Sequence, residues 1–159
     1  MRTRVLAFAI AAAPLLLAAP AAATAPTVET VTVHRHFEFP GACGSFGVIA
    51  DFSAERRITT FYDQEGNTVR TVIRATTPGT VTNSVTGTTL PAFGERFLIF
   101  DANGVLVSST GTNVHVVVPG MGTVQIAAGH TGVDEDGLPF AHGRLDPPIT
   151  QALCDALAA

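Results

Sequence analysis

The chain has 159 residues and no lysine, and its nine arginines face thirteen carboxylates for a net charge of −4. An acidic chain with scattered arginines is a poor partner for nucleic acid or an anionic membrane, so neither is expected as a partner. Charged residues make up 14% of the sequence, against roughly 25% in an ordinary domain. The polar surface must therefore be built mostly from Thr, Ser and Asn, which favours β structure.

The N-terminal segment has the pattern of a secretory signal peptide. Two arginines precede an apolar stretch that is short for a membrane span, and three alanines stand before the preferred cleavage point. We predict that residues 1–23 are a signal peptide, with an uncleaved membrane anchor as the alternative. The mature protein is then secreted, without a membrane span, and consists of a flexible lead-in (24–27) and a single β domain (28–159).

Beyond the signal peptide, the dominant pattern is a series of short strands. About nine runs of alternating apolar residues, separated by Gly- and Pro-containing turns, predict an all-β antiparallel domain. Turn signals at Pro78-Gly79 and at Thr110-Gly111-Thr112 divide strands on either side of them. Short connections favour an up-and-down meander closed into a barrel, since closure removes exposed edges, and a Greek-key sandwich is the alternative.

Within the meander, Val116 and His115 test the strand register. Alternation places Val116 on the same face as Val114 and Val118, and that face is predicted to be buried. His115 then points to the opposite, wetter face.

The end of the chain changes from strand to helix. Apolar residues recur at Ile149, Leu153 and Leu157, the spacing of one helical face. We predict a short helix over about 147–157, capped by Asp146 and with prolines in its first turn.

A D-x-x-G pattern recurs at 63–66, 101–104 and 134–137. The offsets are unequal, so the pattern indicates repeated hairpin chemistry rather than a solenoid period. The last copy resembles the start of a calcium loop but lacks its later ligands, so a charged β-turn is the better interpretation.

Cys43 and Cys154 are the two cysteines of the chain. Both enter an oxidising compartment if the protein is exported, and they lack C-x-x-C spacing, so a disulfide is preferred over free thiols, a metal pair or a redox dithiol. Such a bond closes a loop of about 110 residues, for which the chain-entropy model gives roughly 4–5 kcal/mol.

The best site candidate is His34-x-His36-x-Glu38, whose side chains share one face of a strand. Two imidazoles and a carboxylate are partial ligands for a divalent ion, with His115 or His130 as a third ligand. A solvated polar face is the simpler interpretation, and we expect no cofactor and no stoichiometric metal.

Arg70 and Arg74 share a strand face and are a second candidate site, for an anionic ligand. Surface pairing with carboxylates such as Asp63 or Glu65 is the simpler interpretation.

Several short motifs give the chain its family likeness. They are the signal peptide, Cys43-x-x-Phe46-x-Val48, Thr82-Asn83-x-Val85-Thr86-Gly87, Phe100-Asp101-x-x-Gly104, and Gly143-Arg144-x-Asp146 leading to Cys154-x-x-Leu157. On these the chain resembles small secreted β proteins of high-GC Gram-positive, actinobacterial type. The resemblance implies an exported β protein with one disulfide, and it carries no activity or site residues.

Together these patterns favour a secreted, non-catalytic β-barrel that binds a small apolar molecule or an extracellular, cell-surface partner. The alternatives are a barrel enzyme of lyase, cyclase or isomerase type and a structural envelope protein. A hollow interior lined by apolar side chains supports ligand binding, whereas a histidine and a carboxylate converging in a cavity support catalysis.

Overall fold

The computed structural model describes residues 24–134, 136–144 and 147–159, so the predicted signal peptide lies outside the described residues. The described chain forms seven β-strands and one short helix. Their bounds are β1 (Thr27–Phe39), β2 (Val48–Tyr62), β3 (Thr68–Asn83), β4 (Thr89–Asp101), β5 (Leu106–Val118), β6 (Gly122–Val133), β7 (Pro139–Arg144) and α1 (Gln151–Ala158). In the described parts of the chain, no helix has the length and apolar character that a membrane crossing requires.

The seven strands form one antiparallel sheet in sequence order from β1 to β7. This order confirms the all-β class and the up-and-down meander, and it differs from the order of a Greek key. Among the described residues β1 pairs only with β2, and β7 only with β6. The sheet is therefore open, with β1 and β7 at its edges.

Several strands are longer than the turn signals predicted. In the described chain, seven strands replace the nine that were expected, and Thr110-Gly111-Thr112 lies inside β5 instead of forming a turn. Gly111 has a positive φ of 124°, and a Cβ there would overlap the backbone carbonyl of Glu95 on β4. The glycine marks a close approach between two strands, which a sequence signal for turns does not distinguish.

The predicted break at Pro78-Gly79 is wrong for a related reason, because both residues lie within β3. Ladder pairing between β2 and β3 is interrupted opposite Pro78 and resumes at Gly79, which pairs with Phe52. Proline has no N–H to donate, so the strand tolerates it where the ladder is open.

The three D-x-x-G sequences form the same hairpin turn, as predicted. Asp63, Asp101 and Asp134 each accept a hydrogen bond through Oδ1 from the amide four residues later, at 2.8–2.9 Å. The glycine of each copy adopts a positive φ of 77–87°. The third copy is thus a β-turn, although Glu135 within it lies outside the described residues.

The core lies on one face of the sheet, called here the inner face. Val116 is fully buried on it, whereas His115 is half-buried on the opposite, outer face, which confirms the predicted register of β5. The buried members of the core are Val48, Ala50, Phe52, Val81, Ala92, Val116, Val124, Leu153, Ala156 and Leu157.

Helix α1 closes one end of this core, and its start differs from the prediction. It begins at Gln151, with Thr150 as its N-cap accepting a hydrogen bond from the Leu153 amide at 3.2 Å. Pro147 and Pro148 precede the helix instead of forming its first turn, and Asp146 lies outside the described residues. The Thr150 hydroxyl also donates to the Val124 carbonyl, so the cap is fixed by the sheet.

The predicted disulfide is present. Cys43, in the turn between β1 and β2, is bonded to Cys154 in the helix across a sequence separation of 111, with a Cα–Cα distance of 5.4 Å. The bond attaches the helix to the first hairpin. Strand β1 itself begins at Thr27, one residue inside the predicted lead-in.

Candidate functional site

Three strands carry an arginine on the inner face, where their alternation otherwise places apolar residues. Arg35 follows Val31 and Val33 in β1, Arg56 follows Phe52 and Ala54 in β2, and Arg96 precedes Leu98 and Phe100 in β4. Side chains two apart on a strand share a face, so each arginine points toward the core side. The same period that fixes the core thus brings three cations to its edge.

Strand pairing aligns two of these arginines. Arg56 lies opposite Ala75 of β3, and Ala75 lies opposite Arg96 of β4. With neighbouring strands spaced at about 4.8 Å, the two arginine backbones are roughly 10 Å apart. The methyl group of Ala75 leaves the space between them open. Long side chains at this separation are able to reach one ligand group together.

An open cavity of about 490 Å³ lies over these residues. Because strands β1 to β5 all contribute to its wall, the sheet must curve around the inner face. The lining residues are Arg35, Phe37, Phe52, Ala54, Arg56, Ile73, Ala75, Thr77, Arg96, Leu98, Phe100, Thr112, Asn113 and Val114. The volume falls in the usual range for small-ligand sites, and the lining is mostly apolar.

A second, smaller cavity of about 240 Å³ continues toward the helix end. Phe37, Phe52, Asn113 and Val114 line both cavities, so the two are neighbouring parts of one trough. The smaller part adds apolar surface from both ends of the chain, including Phe39 of β1 and Leu153 of α1.

Arg96 is the most constrained cation of the trough. Its Nη2 donates a hydrogen bond to the hydroxyl of Ser109, a fully buried residue of β5. Its Nε is also buried and has no hydrogen-bond partner among the described residues. Burial lowers the pKa of Arg96, yet a guanidinium remains charged at neutral pH. A buried donor without a partner costs roughly 1–3 kcal/mol.

Among the described residues, the trough has positive charge without a matching negative charge. In the described parts of the chain, Arg35 and Arg56 form no ion pair, and no acidic side chain lines the cavity. The nearby acids Glu55 and Glu95 alternate to the outer face, where Glu95 pairs with Arg74 at 2.6 Å. The sheet thus separates the cations of the trough from carboxylates on its other side.

The candidate metal site at His34, His36 and Glu38 lies on the outer face, where His36 bonds to carboxylates. Nδ1 of His36 lies 2.6 Å from Oδ1 of Asp51 on β2, and Nε2 lies 3.2 Å from Oε1 of Glu38. Both nitrogens donate only in the protonated imidazolium. Both hydrogen bonds therefore raise the pKa of His36, and the bond to Asp51 has the larger effect.

This arrangement is unsuited to a metal, because a ligating imidazole must offer a lone pair. Among the described residues, no three His, Cys, Asp or Glu side chains are arranged to hold a metal ion. His34 shares the exposed face of β1 with His36. The proposed third ligands have other partners: His115 bonds to Thr123 and His130 to Ser108, both at 3.1 Å.

Arg70 and Arg74 also lie on the outer face, and neither pairs with Asp63 or Glu65. Arg74 pairs with Glu95, and the Arg70 guanidinium lies 4.4 Å from the centre of the Phe61 ring. Both cations are therefore accounted for by neighbouring strands.

The sequence interpretation missed the inner-face arginines because it weighed each arginine by its neighbours in sequence. The signal was present: in three strands an arginine occupies a position that the period of two assigns to the core. A charged side chain at a core position is informative in a way that a charged surface residue is not.

Comparisons of the chain with protein-family models, with curated proteins and with solved structures find no match.

Proposed function

We propose that the protein is secreted, is not an enzyme, and binds a small ligand with an apolar body in the trough on the inner face of the sheet. The observation that carries this proposal is the cavity of about 490 Å³ lined by phenylalanine, leucine and isoleucine side chains. A packed interior would have left no room for a ligand, and a cavity of this size and lining is the usual form of a small-molecule site.

The shape of the sheet supports the same function. Both parts of the trough have walls from β1 and β5, and the smaller part also from β6, so the strands curve toward closure around it. We infer that the sheet works as an incomplete barrel, with the helix α1 over one end and the space between β1 and β7 as the entrance.

The disulfide supports the proposed secretion. Cysteine pairs of this kind form and persist in oxidising compartments, and the bond between Cys43 and Cys154 fits an extracellular protein. It joins the first hairpin to the helix that borders the trough, so it also stabilises the walls of the site.

The trough favours binding over the alternative of a barrel enzyme. Among the described residues its wall contains neither a histidine nor a carboxylate, which are the usual acids and bases of lyases and isomerases. The one close histidine–carboxylate cluster, around His36, lies on the outer face with its side chains more than half exposed.

A neutral fluorescent probe tests the proposal. N-phenyl-1-naphthylamine is apolar and brightens when it leaves water, so we expect saturable binding to the purified protein at one site. Ile73→Trp fills the cavity from β3 and is expected to weaken binding roughly tenfold or more, equivalent to about 1.4 kcal/mol.

Val72→Trp is the matched control, because Val72 neighbours Ile73 but points to the outer face and does not line the trough. It should leave the affinity unchanged. Absence of saturable binding, or equal losses in the two variants, would refute a ligand site in the trough.

A further inference from the structure

We propose that the ligand of the trough is an amphipathic anion, whose carboxylate or phosphate head binds between Arg56 and Arg96 while its apolar tail lies along the trough. This inference rests on the proposed function and specifies the class of ligand. A neutral apolar ligand would leave Arg56 and Arg96 without an anionic partner among the described residues.

The geometry assigns the head group to one place. Arg56 and Arg96 lie on either side of Ala75 in one line of paired residues. Planar guanidinium groups bind carboxylate and phosphate oxygens through paired N–H donors. The hydrogen bond from Arg96 to buried Ser109 fixes that side chain before any ligand arrives, which lowers the entropy lost on binding.

The buried Nε of Arg96 has no hydrogen-bond partner among the described residues, although buried donors are almost always paired. A shift of the Arg96 side chain toward a bound anion would expose this donor and allow it to be paired.

The tail direction follows from the apolar lining. From the level of Arg56 and Arg96, the wall continues through Phe52 and Phe37 into the smaller cavity beside Leu153. Arg35 lies opposite Phe52 along this path and is exposed. An unbranched or flat apolar chain with one charged end matches this distribution.

Displacement of N-phenyl-1-naphthylamine by three ligands of equal chain length tests the inference: decanoate, decyl phosphate and neutral decanol. We expect at least one anion to displace the probe roughly tenfold more effectively than decanol does. The anion that competes better identifies the head group.

Two adjacent substitutions separate the site from net charge. Arg56→Met should abolish the preference for the anion, whereas Arg57→Met removes the same charge from the outer face and should preserve it. Arg96→Met, confirmed as folded by circular dichroism, should also abolish the preference.

The outcomes distinguish the two proposals. If the probe binds but the anions compete no better than decanol, or if Arg57→Met has the same effect as Arg56→Met, the inference is wrong and the apolar site stands. If the probe shows no saturable binding to the wild-type protein, the proposed function itself fails.

Discussion

Val116 and His115 occupy neighbouring positions of β5 and point to opposite faces of the sheet. Val116 is fully buried, and its truncation to alanine leaves a cavity that close neighbours cannot fill. We expect Val116→Ala to lower the free energy of unfolding by about 1–3 kcal/mol. His115→Ala removes a partly exposed hydrogen bond to Thr123 and should cost well under ~1 kcal/mol.

Urea denaturation of both variants measures this contrast. Equal losses would mean that β5 is buried on both faces. A larger loss for His115→Ala would mean that the register is shifted by one residue, since such a shift exchanges the two faces.

His36 lies between the carboxylates of Asp51 and Glu38, so we predict that its imidazole stays protonated to a higher pH than a free imidazole does. The hydrogen bond to Asp51, then that to Glu38, raises the pKa of His36 above its ordinary value of about 6.5. The raised pKa stabilises the folded protein, and this stabilisation is complete at pH values below the pKa of His36 in the unfolded chain. It is lost as pH rises through the pKa of His36 in the folded protein.

Proton NMR titration of the His36 ring checks this prediction. Asp51→Asn should return the pKa toward the ordinary value, and Glu38→Gln should do so to a smaller extent, following the order of the two causes. A wild-type pKa at or below the ordinary value would show that the pairing does not persist in solution.

At the scale of elements, a buried polar side chain of the sheet holds the end of the helix. Asn83, at the end of β3, donates from Nδ2 to the Leu157 carbonyl at 3.1 Å. Its Oδ1 accepts from the amides of Val85 and Thr86 at 2.9 and 3.1 Å. One residue thus satisfies a carbonyl at the end of the helix and two amides of the turn between β3 and β4.

We expect Asn83→Ala to lower the free energy of unfolding by about 1–3 kcal/mol, because it removes a buried hydrogen bond to the Leu157 carbonyl and the two bonds that hold the turn. Asn67→Ala is the control: its side chain bonds to Asp63 in an exposed turn, so its loss should stay within about 0.5 kcal/mol. Thermal unfolding of both variants makes the comparison. Similar melting temperatures for the two would contradict the role assigned to Asn83.

The sequence predicted the faces of the strands better than their ends. The period of two correctly identified the buried face of β5, because burial acts on every second side chain. Strand ends were missed where glycine or proline was taken as a break, as at Gly111 and Pro78. Gly111 is required by the close approach of the neighbouring strand, and Pro78 is tolerated because the ladder is open opposite it. A sequence pattern does not show which strand lies next to these residues.

The site shows the same division. The sequence alone places three arginines on the inner face: Arg35, Arg56 and Arg96. That they line one cavity depends on the pairing of strands β1 to β4, which the sequence does not show. The histidine motif was visible because its members are close in sequence, whereas the Asp51 partner of His36 comes from the next strand. Proximity in sequence thus drew attention to the outer face.

At the scale of the whole molecule, one line of paired residues crosses all seven strands. It begins at Val31 in β1 and passes through Arg56, Ala75 and Arg96 to three successive glycines, Gly111, Gly129 and Gly143. Glycine lets neighbouring backbones approach and bend sharply. The line therefore has cations in the earlier strands and, in the later ones, residues that permit a bend.

The connection between the first hairpin and the last helix has a consequence for biosynthesis. Every ladder in this fold joins neighbours in sequence, so each hairpin is able to form as soon as its second strand leaves the ribosome. The disulfide bond of Cys43 forms later, because its partner Cys154 follows 111 residues further along the chain. The covalent bond is thus among the last native contacts available to a growing chain, and it locks a sheet whose strands have all been synthesised before it.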